Sequence, residues 1–91
     1  MDLLDLTFRI ERSFGVKIAP GDYDRLPGRV PFEATAGEIH ELVVRICIER
    51  GVEVPWSSWN KVRKALAEVT GKSPKLIHRD TWIVRDLDFS T

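Results

Sequence analysis

The side chains of this 91-residue chain that could do chemistry are few, and their spacing limits what chemistry is open to them. His40 and His78 are the two imidazoles, each isolated, with no second His or Cys at ligand spacing, so a zinc site of the usual kind is not encoded. Surface or half-buried histidines are expected. Cys47 is the single cysteine, which rules out an internal disulfide. It lies near an apolar helical face and reads as a small hydrophobe, with no paired base to make its thiol a nucleophile. Asp86 and Asp88 stand two apart in an aperiodic segment, a spacing that gives no acid/base geometry and suits caps or solvated charges. Trp56, Trp59 and Trp82 are expected to pack in the core or against the linker, with an exposed docking surface as the alternative.

Charge is balanced overall, 14 basic against 14 acidic residues, so no general pull toward nucleic acid or an anionic membrane is expected. Locally it is segregated. Between residues 61 and 79, Lys61, Arg63, Lys64, Lys72, Lys75 and Arg79 face only Glu68, while residues 33 to 49 set four acids against Arg45. Solvated helix faces are the expectation, with a docking surface as the alternative. A small helical nucleic-acid binder using Lys61, Lys64, Lys72 and Lys75 is a further, weaker alternative, because no helix-turn-helix signature accompanies them. The length fits one domain with a modest core. There is no basic amino-terminal region followed by an apolar run, and no stretch approaches the roughly 18 apolar residues of a membrane span. A soluble, cytoplasmic protein is expected.

The elements that must position these groups read as helices. Leu3, Leu6, Ile10 and Phe14 recur at steps of three and four, predicting a helix over residues 2–14 capped by Asp2 and stopped by Gly15. Residues 19–22 read as a loop, residues 23–26 as one helical turn, and residues 27–34 as an irregular loop with Val30 and Phe32 tucked inward. Thr35-Ala-Gly-Glu38 has the spacing of a capping box, and Ile39, Leu42, Val43 and Ile46 follow at helical spacing up to Gly51. Val44, Cys47 and Ile48 widen that apolar side, which suggests the central helix of the fold. Ser57 or Ser58 can cap a helix with the stripe Trp59, Val62, Leu66 and Val69, stopped by Gly71. Ser73-Pro74 predicts one further turn. The tail is expected to be a loop packed on the helices, with a helical turn near residues 82–87.

Residues 2–50 resemble the second, third and fourth helices of the acyl carrier proteins, on the run Asp2-Leu3-Leu4-Asp5-Leu6 to Phe14-Gly15-Val16-Lys17-Ile18 and on Thr35-Ala-Gly-Glu38. Residues 58–91 resemble that family's first helix and its following loop, on Val69-Thr70-Gly71, Ser73-Pro74, Trp82 and Val84-Arg85-Asp86-Leu87. The two blocks come in reversed order. The resemblance therefore implies an all-α, small four-helix bundle of the acyl-carrier type, circularly permuted, in one domain over residues 1–91. Residues 51–57 form the linker, whose seven residues can span at most roughly 25 Å. A domain-swapped homodimer, in which residues 58–91 complete another chain's bundle, satisfies the same pattern.

The family attaches 4'-phosphopantetheine to a serine at a helix N-terminus, where free amides and the helix dipole favour an anionic phosphodiester. Here the corresponding place is split between Asp88-Phe89-Ser90-Thr91 and Met1-Asp2-Leu3, and Ser90 or Thr91 is the hydroxyl nearest the expected register. Neither is followed by Leu-Asp. The family's second helix is usually acidic for recognition by basic partner enzymes, whereas this one carries Arg9 and Arg12. The expected function is thus a non-enzymatic, carrier-like domain that lacks a standard phosphopantetheine serine and acts by protein–protein interaction, with a carrier-type enzyme or itself. The alternative is a working carrier modified at Ser90 or completed by a second chain.

Overall fold

The computed structural model describes residues 3–25, 34–83 and 86. The expected Asp2 cap, the expected inward packing of Val30 and Phe32, and Asp88, Ser90 and Thr91 fall outside the described residues.

The described chain is all-helical, with α1 at Leu3–Phe14, α2 at Ala36–Glu49 and α3 at Ser58–Thr70, joined by 3-10 turns at Pro20–Arg25 and Pro74–Leu76. Three α-helices, rather than four, stand among the described residues; the place of the expected short third helix is taken by the Pro20–Arg25 turn. That turn begins three residues before the expected one. Proline suits the first helical position, and the Asp22 carboxylate folds back to accept the Ala19 N–H at 2.8 Å. No helix among the described residues is long and apolar enough to cross a membrane.

Sequence periodicity becomes burial on α1, where Leu6, Ile10 and Phe14 point into the core and Val16 and Ile18 continue it past the helix end. Asp5 in its first turn and Arg12 in its last both complement the helix dipole. Each α-helix is followed by a glycine with left-handed backbone, Gly15 (φ 68°), Gly51 (φ 69°) and Gly71 (φ 74°), a conformation that costs other residues a steric clash. After Gly15, the Glu11 carboxylate accepts the Ile18 N–H at 2.7 Å and turns the chain toward the core.

The capping box at the start of α2 is complete. Thr35 Oγ1 accepts the Glu38 N–H and Glu38 Oε1 accepts the Thr35 N–H at 2.8 Å. Thr35→Ala is therefore expected to cost about 1 kcal/mol, read as a lowered urea midpoint at unchanged slope. The apolar side of α2 is narrower than its composition suggests: Ile39, Leu42, Val43, Ile46 and Cys47 are buried, Val44 is half-buried, and Ile48 is 67% exposed. The central helix is α3, not α2, because both α1 and α2 pack principally on α3. Its small residues Ala65 and Ala67 let neighbours approach, and Val62, Leu66 and Val69 fill the space between them.

The serine before α3 stands at the expected place but does not act as a side-chain cap: Ser57 makes no such bond, and the Ser58 hydroxyl is committed elsewhere. As far as Ile83 the tail is a loop packed on the helices, as expected. Its residues 79–83 run antiparallel to the start of α2, where Ala36 donates to Thr81 O, Gly37 to Arg79 O and Ile83 to Ala34 O, all within 2.8–2.9 Å. This edge seats Ile77 and Ile83 in the core. Asp86 then closes one turn, donating its N–H to Trp82 O at 3.0 Å while its carboxylate accepts the Trp82 N–H at 2.8 Å.

Candidate functional site

Helix α2, the first turn of α3 and the tail converge on one polar cluster. His40 Nε2 lies 2.8 Å from Ser58 Oγ, and its Nδ1 lies 3.2 Å from an Arg79 guanidinium nitrogen. The Arg79 guanidinium sits 4.7 Å over the Trp59 ring, which the His40 ring meets edge-on at 5.7 Å. The Arg79 backbone is held against α2 by Gly37, so the cluster depends on a close approach that only a residue without Cβ allows.

A serine hydrogen-bonded to histidine invites comparison with a nucleophile and its base, and the third partner decides the matter. A guanidinium can only donate, so Nδ1 is the acceptor and the proton of the neutral ring resides on Nε2. His40 therefore donates to Ser58 Oγ and does not take its proton. In a nucleophilic triad the orienting group is a carboxylate that accepts from Nδ1, the reverse of this polarity. Burial, and then the Arg79 charge, push the His40 imidazole below its ordinary pKa, against a smaller opposite effect of Glu41. The arrangement locks α2, α3 and the tail together.

A pH dependence follows. A histidine depressed in the fold takes up its proton more readily when unfolded, so stability is complete above the ordinary value of about 6.5 and declines as pH falls from there toward the depressed one. The thermal midpoint is expected to fall between about pH 7 and about pH 5, and the part due to His40 to vanish in His40→Gln.

Of the other sequence candidates, Cys47, His78 and Asp86 make no side-chain hydrogen bond to this cluster. The Cys47 thiol is buried, free and pushed up by burial, as fits a packed small hydrophobe. His78 is exposed, and its backbone N–H bonds to Thr81 Oγ1. Asp86 is a cap for Trp82 N–H. Among the described residues no group of three or more His, Cys, Asp or Glu side chains could hold a metal ion. Trp59 is half-buried against the core, whereas Trp56 is 95% exposed, contrary to the expected packing, in the turn closed by the Ser58 N–H to Pro55 O.

Open grooves are found among the described residues. One, of about 370 Å³, is floored by Val44 and Ile48 on α2 and flanked by Arg45 and Arg79. Another, of about 430 Å³, lies where α1 ends, between Phe8, Arg12 and Lys17. Phe8 is 57% exposed there, on the side of α1 opposite Leu6 and Ile10. Ion pairs among the described residues form two groups: Arg9 joins Asp5 and Glu68, while Arg25 joins Glu49 and Asp22 and Arg50 joins Asp22. Of the cations from Lys61 to Arg79, none is in an ion pair among the described residues. Sequence reasoning missed the His40, Ser58, Trp59 and Arg79 cluster. The glycine inside the Thr35–Glu38 capping box was its one advance signal. Comparison of the chain with known protein families, with curated proteins and with solved structures finds no match.

Proposed function

We propose that this chain is a small all-α domain of the acyl-carrier type in circularly permuted order, non-catalytic, which acts in the cytoplasm by docking a protein partner. The observation that carries the reading is the edge between residues 79–83 and the start of α2. Through it the block after the linker, which resembles a carrier's first helix and loop, packs as one body with the block before it, which resembles the remaining helices. The order α1, 3-10 turn, α2 agrees with the second, third and fourth carrier helices, and α3 followed by an extended loop agrees with the first. Exposed apolar side chains at Phe8, Ile48 and Trp56 suit a domain whose work is done at its surface. The His40 and Ser58 pair supports a non-catalytic reading, since its polarity supplies the serine with a donor.

The test is the intact mass after incubation with coenzyme A, magnesium and a broad-specificity phosphopantetheinyl transferase. Unchanged mass is the expected result. A gain of one phosphopantetheine that disappears in Ser90→Ala would overturn it and make the chain a working carrier.

A further inference from the structure

We infer that the basic face formed by α3 and the turn after it is a docking surface for an acidic segment of a partner protein. The inference gives the partner of the proposed function a chemistry, and it rests on that reading. Lys64 is exposed on α3, Lys61 and Arg63 beside it are half-buried, and Lys72 and Lys75 are exposed in the segment that follows, whose Pro74–Leu76 turn contacts the helix. Glu68, the one carboxylate in this stretch, is bridged at 3.1 Å by Arg9 of α1 and does not answer these charges.

The placement costs the fold stability. Lys61 ends a first turn that holds no acid, at the positive end of the helix dipole, where a cation is disfavoured. Lys61 and Lys64 are like charges one turn apart on α3. The other two α-helices are arranged differently: α1 carries Asp5 and α2 carries Glu38 in its first turn. Cations placed against the helix dipole, and in no ion pair among the described residues, point to an external partner.

Acidic protein, rather than nucleic acid, fits the rest of the face. Leu76, 63% exposed, stands beside Lys75 and offers an apolar contact that a phosphate backbone does not use. Trp59, the aromatic of α3, is covered by Arg79 and presents no stacking platform.

The experiment is fluorescence anisotropy with a labelled amphipathic peptide of about 16 residues, rich in Glu with a Leu stripe, against a duplex DNA of about 20 base pairs as competitor. The peptide is expected to bind, to be weakened as salt rises, and to lose about tenfold in affinity on Lys61→Gln with Lys64→Gln, and similarly on Lys72→Gln with Lys75→Gln. Leu76→Ser is expected to weaken binding several-fold, and Lys17→Gln, a cation off this face, to leave it unchanged. The Lys61 and Lys64 double variant should keep or raise its thermal midpoint while binding falls. Absence of peptide binding, equal loss in Lys17→Gln, preference for the duplex, or a lowered midpoint in that double variant would overturn the inference. A phosphopantetheine gain at Ser90, measured separately, bears on the proposed function and not on this face.

Discussion

Leu66→Ala is expected to remove about 2–5 kcal/mol of stability. Leu66 is fully buried on α3, the helix on which both α1 and α2 pack, so truncation opens a cavity that no single neighbour can close. Domains of this size hold only about 5–15 kcal/mol in total, and a loss at the upper end leaves a large unfolded fraction. Urea unfolding should show a much lower midpoint with little change in slope. Leu66→Met, which nearly conserves volume, should cost less than about 1.5 kcal/mol. Ile48→Ala provides the contrast: it removes a similar side chain from the apolar run of α2, but one 67% exposed, and should fall within about 0.5 kcal/mol of the parent.

Gly37→Ala comes second, with an expected loss of about 1–3 kcal/mol, opposite in sign to the gain of up to about 1 kcal/mol that helix propensity alone would give. A Cβ at Gly37 would stand 2.8 Å from Arg79 O and 3.2 Å from Arg79 Cβ. The first of these atoms is backbone held by the Gly37 N–H itself, so relief requires the tail to move off α2. Ile77 and Ile83 would then lose cover, and the Arg79 contact with Trp59 would loosen. Tryptophan fluorescence should therefore change along with the midpoint. Gly21→Ala, where nothing lies within 4 Å, should be close to neutral.

What the sequence made legible was local. The stripes of α1 and α3, the Thr35 to Glu38 capping box and the stops at Gly15, Gly51 and Gly71 rest on interactions within a few residues, and each is found where its spacing placed it. The misreadings concern which surface meets which. Ile48 shares an apolar run with Ile46 and Cys47, yet 100° of turn per residue carries it to the solvent side, and α2 yields the centre to α3. Ser57 is the N-cap residue of α3, but its backbone (φ −92°, ψ 21°) is outside the extended region typical of a capping serine, and Ser58 bonds instead to His40 18 residues earlier. Arg79 reaches His40 across 39 residues, a pairing that no periodicity announces. The basic run from Lys61 to Arg79 was visible from composition, but only the packing shows that its one acid is taken by Arg9.

The central claim is that residues 58–83 complete, within one chain, the bundle begun by residues 3–50. It is tested most directly by isotope-filtered NMR contacts in an equimolar mixture of labelled and unlabelled protein, run beside sedimentation equilibrium. The account predicts a particle of 10.4 kDa in which the Ala34 to Gly37 strip contacts Arg79 to Ile83 within one chain. A particle of twice that mass, with those contacts crossing between labelled and unlabelled chains, would contradict it and make the bundle a swapped dimer.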